Sequence, residues 1–444
     1  MKLNLKYMLS IAFAIVWGIF TMYYGIPWIS DIALIWGIPF AWFTVVGIAL
    51  IPGVVMAFVN ASLLLDRRPH YPKLKNQPDI SILIAAHNEQ DSIASTLKSI
   101  LYQEYNGNIN VFVMNDASTD DTSYEVHKVL NDIVWSNRLV LNKYNPNVKI
   151  ELIEYKEKSG KAIVLNKGLD YVKTKYVITL DADSVLYKDA LINIVTTIVN
   201  KDDDVAAVAG TILSDNTYKS LITKIQQWDY LHGIASVKRI QSMYQGTLVA
   251  QGAFSIYRTD VLREVCGWPD KIGEDIVLTW NIHNLGYKVT YDENAVCFTN
   301  VPETYKTFYK QRKRWARGLI EAFKVNSGLL FKPKKTTIFI WYNLLFPYID
   351  TVFMFIFVPG VIAALFYSYY LFASIMTLYL LPLAFLSNMI IYFIQRKSLN
   401  KLQIEMPKKN WIGFILYILF FQLIMTPATL SGYVSELLKR KRVW

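Results

Sequence analysis

Long apolar stretches alternate along this chain with a region of ordinary mixed polarity. No Asp, Glu, Lys or Arg occurs in residues 7–30, 32–65, 351–395 or 411–435. Each stretch is long enough for at least one membrane-spanning helix, which takes about 20 apolar residues. Residues 1–65 therefore predict two N-terminal transmembrane helices, and 351–444 about three more with a basic tail. Residues 66–335 read as a globular domain between them. Residues 336–350, with Trp341, Tyr342, Pro347 and Tyr348 behind Lys332, Lys334 and Lys335, predict a helix lying in the membrane interface.

Inside the middle region the pattern changes period. Residues 79–86 (DISILIAA) form a buried-strand run, followed by a helical stretch over 90–103. Residues 110–114 are a second strand with a helix beginning near Thr119, and 149–154 and 176–180 are further strands, with helices near 161–172 and 189–199. Strands alternating with helices predict a largely parallel sheet covered on both faces.

Charge refines this division. The chain carries 46 Lys+Arg against 35 Asp+Glu, a net +11, yet 31 of the 35 acids lie in 66–335. Most of the basic excess therefore flanks the apolar stretches, as the positive-inside rule and anionic headgroups require, and no nucleic-acid partner is expected. Lys2 and Lys6 precede the first span, and Arg67, Arg68, Lys73 and Lys75 follow the second. Two spans between basic flanks put the domain in the cytoplasm, in a multi-pass protein of the plasma membrane. The first stretch lacks a small-residue cleavage site and is expected to stay as an anchor. Cys266 and Cys297 form no CxxC pattern and read as reduced, packed thiols. At the other end, spans over 353–372 and 374–394 return the basic loop 396–409 to the cytoplasm. A further crossing by 411–434 then puts Lys439, Arg440, Lys441 and Arg442 outside, against the rule, unless Pro427 marks a break or a re-entrant turn.

The strand ends carry the candidate chemistry. His87-Asn88-Glu89 follows the first strand, Asn115-Asp116 the second, and Asp181-Ala182-Asp183 the fourth. Ligands of open α/β sheets bind at carboxyl ends of strands, so these acids converge on one crevice. Ser118 or Thr119 is suited to capping the helix after Asp116. Asp181-x-Asp183 suits Mg²⁺ or Mn²⁺ bridging to substrate phosphates, because such hard cations take one or two carboxylates and leave positions for phosphate. Ser159-Gly160-Lys161 brings an ammonium to a helix start, where backbone N–H groups also meet a diphosphate. Neither GxGxxG nor GxxxxGK[ST] occurs, which disfavours a dehydrogenase or a P-loop ATPase. Gly273-Glu274-Asp275 opens an amphipathic helix that stops at Gly286. In Gln311-Arg312-Lys313-Arg314-Trp315, Gln311, Arg314 and Trp315 share one helix face, with Arg312 and Lys313 pointing elsewhere.

Seven segments in this order, AHNE (86–89), NDASTD (115–120), SGKA (159–162), DAD (181–183), AQGAFSIYR (250–258), GED (273–275) and QRKRW (311–315), give the chain a family resemblance. It resembles the processive inverting glycosyltransferases of the cellulose, hyaluronan and chitin synthase type from about 80 to 318, with similar flanking spans. VPETYKTFYKQRKRWARG (301–318) is most similar to bacterial poly-N-acetylglucosamine synthases. The resemblance implies an α/β GT-A (Rossmann-like nucleotide-binding) cytosolic domain inserted between α-helical transmembrane segments. It implies Glu89 and Asp116 at the uridine and ribose, Lys161 at the diphosphate, Asp181 near the nucleotide, and Asp183 with Asp181 at the metal. Asp275 becomes the general base with Glu274 beside it, Arg314 a phosphate contact, and Gln311, Trp315 and Gly252 the acceptor side. The implied partners are a UDP-sugar donor, first UDP-N-acetylglucosamine, a growing glycan, membrane lipid and a small membrane partner subunit. His87 stands where the family usually has Tyr, Gly273 where the nearest relatives often have Thr, and 132–148 is an extended segment before the third strand. A hyaluronan- or chitin-type synthase and a non-processive transferase to a membrane lipid stay open as alternatives. A channel with a regulatory domain is disfavoured because these stretches hold no ionisable residue, and an inactive partner because every expected acid is present.

Overall fold

The computed structural model describes residues 3–68, 71–138, 143–244, 246–373, 375–404 and 410–440. Two apolar helices come first, α1 (Leu3–Trp36) and α2 (Ile38–Leu65). The domain follows with β1 (Ile80–Ala86), α3 (Ile93–Leu101), β2 (Ile109–Asp116), α4 (Thr122–Arg138), β3 (Val148–Tyr155), α5 (Lys161–Leu169), β4 (Tyr176–Leu180), β5 (Ser184–Leu186) and α6 (Ala190–Val199). Next come β6 (Val205–Ser214), α7 (Leu221–Trp228), α8 (Ser236–Met243), β7 (Phe254–Arg258), α9 (Thr259–Glu264), α10 (Glu274–Asn284), β8 (Lys288–Thr299) and α11 (Tyr305–Asn326). Three helices close the chain: α12 (Thr337–Tyr367), α13 (Ile375–Lys401) and α14 (Trp411–Leu437).

The eight strands form one sheet in the order β3-β2-β1-β4-β7-β6-β8-β5. β1 pairs parallel with β2 and β4, and β2 with β3. Their uninterrupted apolar runs fit burial on both faces: every residue of β1 but Ala85 is buried. The second half departs from the largely parallel expectation, because β7 runs antiparallel to both β4 and β6. That reversal sets the start of β7 beside the end of β4, so AQGAF lies against the DAD segment. In the lengthened segment 132–148, α4 continues to Arg138, and residues 139–142 lie outside the described residues.

Among the described residues, four helices are long and apolar enough to cross a membrane by length and composition: α1, α2, α12 and α14. The expected division between an interface helix at 336–350 and a span after it falls inside α12, which is continuous. A π-turn, Phe353–Phe357, precedes Pro359 in α12, as Val46–Leu50 precedes Pro52 in α2. Proline lacks the N–H that the α-ladder needs, and a wider turn accommodates it without ending the helix. Continuity also brings Asp350 into a long apolar helix, where the sequence reading allowed no ionisable residue. Its carboxylate is buried and accepts hydrogen bonds from Gln422 Nε2 and Thr429 Oγ1, both at 2.7 Å, and from the Tyr433 hydroxyl at 3.2 Å. Pro427 breaks nothing, since α14 runs through it unbroken.

Candidate active site

The loops after β1 and β2 are fastened to one another. Asn88 and Ala117 both have positive φ, 57° and 54°, a conformation costly for residues with a Cβ. Side chains hold them there: Asn88 Oδ1 accepts from the Thr119 amide at 2.8 Å, Ser118 Oγ from the Asn88 amide at 3.0 Å, and Thr122 Oγ1 from the Glu89 amide at 2.7 Å. Ser118 and Thr119 are thereby used across the loops rather than as helix caps. Asp120 takes that part, accepting from the Thr122 amide at 3.1 Å. Asp116 turns both carboxylate oxygens to the next loop, accepting from the amides of Ser159 at 2.7 Å and Gly160 at 2.8 Å. Gly160, at φ 94°, is where that turn needs glycine before α5 begins.

Lys161 leads from this turn into the centre of the crevice. Its ammonium is ion-paired to Asp181 Oδ1 and lies 3.7 Å from Glu274 Oε1. A Cβ on Gly252 would lie 2.8 Å from Lys161 Nζ, so the missing side chain makes room for the ammonium. Burial alone would lower the Lys161 pKa, but Asp181 and Glu274 outweigh it and hold the group above its ordinary range. Burial pushes Asp183 up to about 6, with Asp181 and Glu89 adding to the effect and Lys161 and Thr299 opposing it. Glu89 is also raised, first by burial and then by Asp181, against a hydrogen bond from Ser92. Several carboxylates thus crowd the space around the Lys161 ammonium, an arrangement that favours an arriving cation. Among the described residues no group of three His, Cys, Asp or Glu forms a closed metal site. Asp181 and Asp183 alone offer two carboxylates, which fits a hard cation that keeps its remaining positions for phosphate and water.

On the opposite wall, α10 and α11 touch through bare backbone. A Cβ on Gly273 would stand 2.6 Å from the Cα of Gly318, and one on Gly318 2.7 Å from the Cα of Gly273. Glu321 Oε2 accepts from the amides of Ile272 at 2.7 Å and Gly273 at 3.3 Å. The carboxylates of Glu274 and Asp275 are thereby held beside the helix that carries Arg314 and Trp315. Burial pushes Glu274 up to about 7, with Asp275 adding and Lys161 and Arg314 opposing. Arg314 is exposed, and Trp315 is 40% exposed. The guanidinium of Arg312 stacks 4.2 Å from the Trp315 ring centroid and is paired with Asp229 at 2.8 Å.

Sequence comparison decides what this crevice belongs to. Residues 81–266 match the model for glycosyl transferase family 2, and residues 176–392 that for glycosyl transferase family group 2. Residues 81–266 carry a glycosyl transferase family 2 domain. It is 30% identical over 262 residues to a poly-β-1,6-N-acetyl-D-glucosamine synthase of Staphylococcus epidermidis, covering 59% of each chain. It is 30% identical over 290 residues to the synthase of that name from Staphylococcus aureus (strain MSSA476), covering 63% of this chain and 65% of the relative. The chain thus spans less than two thirds of the length of these relatives. Among solved structures, a mannosyltransferase from Pyrobaculum calidifontis, in complex with GDP-Man and Mn²⁺, superposes with a TM-score of 0.55 at 17% identity. That match covers 93% of this chain and 99% of the other, and it establishes the GT-A fold.

The glycosyl transferase domain gathers Glu89, Lys161, Asp181, Asp183, Glu274 and Asp275 around one crevice, with Arg314 at its edge. Asp116 faces the 159–160 turn instead, and Gly252 backs the Lys161 ammonium rather than lining an acceptor path. Gln311 Oε1 is buried with no hydrogen-bond partner among the described residues. Sequence reasoning passed over Arg312, which points inward and supports Trp315 from behind. It also passed over Lys238 of α8, which is 7% exposed. Burial pulls the Lys238 ammonium down to about 7, against Asp275, which raises it. Its only sequence signal was a Lys-Arg pair in a short helix that carries no other charge.

Proposed function

We propose that the protein is a membrane-embedded inverting glycosyltransferase that polymerises a β-linked polysaccharide from a UDP-sugar, first UDP-N-acetylglucosamine. One observation carries the reading: Lys161 bridges the DAD and GED segments, so the groups suited to a diphosphate and the group suited to a base serve a single centre. The printed name of the staphylococcal relatives supports the choice of sugar. Glu89 serves the uridine and ribose, Asp116 acts there by holding the 159–160 turn, and Lys161 and Arg314 serve the diphosphate. Asp181 and Asp183 would hold Mg²⁺ or Mn²⁺, which supplies charge neutralisation at the leaving diphosphate. Asp275 takes the proton of the acceptor hydroxyl as its oxygen bonds to C1 and the bond from C1 to the diphosphate oxygen breaks. Attack from the face opposite the leaving group turns an α-linked donor into a β-linkage. Glu274 lies next to this base, and Gln311 with Trp315 forms the platform on which the acceptor sugar stacks.

The domain faces the cytoplasm, and the apolar helices around Trp315 carry the growing chain across the plasma membrane, with a small membrane subunit as a further partner. Purified protein with Mg²⁺ or Mn²⁺ and a panel of radiolabelled UDP-sugars tests this reading, followed by digestion with linkage-specific hydrolases. A high-mass product from UDP-N-acetylglucosamine that a β-linkage-specific hydrolase degrades is expected. A single labelled lipid would replace polymerisation by one-step transfer, and absence of UDP release from every donor would overturn the reading.

A further inference from the structure

Four of the five apolar helices leave the domain at one end only. α1 starts beside it, with Lys335 Nζ donating to Asn4 Oδ1 at 2.6 Å, and α2 returns to it, where Asp66 is paired with Arg239 at 2.6 Å. α12 leaves near Lys334, whose Nζ donates to the carbonyl of His283 at 3.2 Å. α13 returns at Ser398 and Leu402, which accept from Arg239 at 2.9 Å and from the Tyr187 hydroxyl at 2.8 Å. The distant ends of the two pairs meet, Trp28 Nε1 donating to the carbonyl of Leu371 at 2.7 Å.

α14 is different, because both its ends rest on the domain. Before its first turn, Asn410 donates to the Lys224 carbonyl at 2.9 Å and accepts at its own carbonyl from Trp228 Nε1 at 2.9 Å. Midway, the Phe421 ring meets Phe308 with centroids 6.3 Å apart. Further on, a Cβ at Gly432 would stand 2.6 Å from Ala316 Cβ. At the end, Glu436 is paired with Arg317 at 3.2 Å and with Lys324 at 2.9 Å. α14 therefore follows α11 over most of its length. α11 holds eight charged residues in 22, which forbids it a place across hydrocarbon. The two anchors of α14 also belong to one folded unit, since Gln226 of α7 donates to the Pro302 carbonyl just before α11 at 2.7 Å. A crossing helix would have its ends separated by about 30 Å of hydrocarbon.

We infer that α14, despite its length and apolar character, does not cross the membrane but lies in the leaflet on the domain's side. Its outer face is the lipid-binding surface. Ile412, Ile415, Leu419, Leu423, Val434 and Leu437 recur at helical spacing and are all exposed, while the opposite face packs on the domain. Exposed Lys439 and Arg440 follow directly, suited to anionic headgroups at the same depth. α13 starts just after Leu371, at the end far from the domain, and returns to the domain at Ser398, so with α14 out of the count α1, α2, α12 and α13 make an even number of crossings. Arg396, Lys397, Lys439 and Arg440 then share the domain's side, which removes the conflict with the positive-inside rule. Lys441 and Arg442 lie outside the described residues, as do Lys408 and Lys409.

The test needs no catalysis and is independent of which sugar is transferred. Full-length protein carrying Cys266→Ser, in phosphatidylglycerol-containing vesicles, receives one spin label at a time through Ile412→Cys, Leu423→Cys or Val434→Cys. Relative accessibility to oxygen and to a water-soluble nickel chelate gives the depth of each label. The three depths should agree within about 5 Å, all near the headgroup boundary. A Leu423 label near the bilayer centre, with Ile412 and Val434 shallower, would overturn the inference. A membrane-impermeant maleimide supplies the second readout, with the natural Cys266 marking the domain's side. Lys439→Cys in the Cys266→Ser background should react from the side on which Cys266 of the unsubstituted chain reacts. Reaction only from the opposite side would make α14 a crossing helix.

Discussion

The two walls of the crevice are built by different physics. The donor wall, at the ends of β1, β2 and β4, is short loops tied by side chain to backbone hydrogen bonds, such as Asp116 to the 159–160 amides and Asn88 to Thr119. Its partners lie close in sequence or on neighbouring strands. The acceptor wall, α10 and α11, is held by a backbone contact, Gly273 on Gly318, by a buried ion pair within the domain, Arg312 on Asp229, and by one that reaches an apolar helix, Arg317 on Glu436. A nucleotide site can therefore persist while the acceptor side is disturbed, and substitutions should separate the two.

The sharpest separation is expected from Asp275→Asn. The amide keeps the shape of the helix start but accepts no proton, so transfer should fall by about 10²–10⁴-fold. UDP-sugar affinity, read by calorimetry or tritiated-UDP binding, should change little. Ordinary polymer yield from this variant would remove Asp275 as the base.

Asp229→Asn comes next. It leaves the Arg312 guanidinium buried without its counter-charge, and breaking such a pair costs about 3–5 kcal/mol. Thermal unfolding in detergent should shift down, and product length should shorten because Arg312 no longer supports the Trp315 ring. Asp229→Asn combined with Arg312→Met should recover much of the stability, since no unpaired charge remains. Gly273→Ala should be milder, about 1–3 kcal/mol, because a methyl group must push two backbones apart at the α10–α11 crossing. It should weaken transfer more than UDP binding; equal losses in both would show that the walls are not independent.

The donor wall was also the more legible one. Each of its strands has a continuous apolar run and ends in polar residues, so 79–86 and 176–180 could be located from pattern alone, to within a residue of β1 and β4. The acceptor wall was not legible in the same way. Arg312 and Asp229 are 83 residues apart, and nothing local in either segment points inward. Helical spacing only set Arg312 off the face shared by Gln311, Arg314 and Trp315, and a buried counter-ion turns it to the core. The boundary at 350 failed for a related reason: a charge normally ends an apolar span, but Asp350 is satisfied by Gln422, Thr429 and Tyr433 from a helix about 80 residues later. Gly273 was visible only as a departure from relatives, and its cause is the bare backbone of Gly318.

The smallest effect tests where the walls meet, at Glu274. Its carboxyl is raised by burial from an ordinary 4.5 to about 7, even with Lys161 and Arg314 opposing. The folded protein therefore holds a proton there that the unfolded chain has lost over this interval. Stability is then fully present below about pH 4.5 for this group and declines as pH rises through about 7, the reverse of a carboxylate held by an ion pair. Glu274→Gln, which stays neutral throughout, should flatten that decline. Melting temperatures of the two proteins between pH 5 and 8 at constant ionic strength would diverge by the equivalent of about 1 kcal/mol or more. Parallel curves would mean that Glu274 is already ionised against Lys161 at pH 5. The DAD and GED segments would then be joined by a full salt bridge, and the two walls would be more tightly coupled than the helix contacts alone imply.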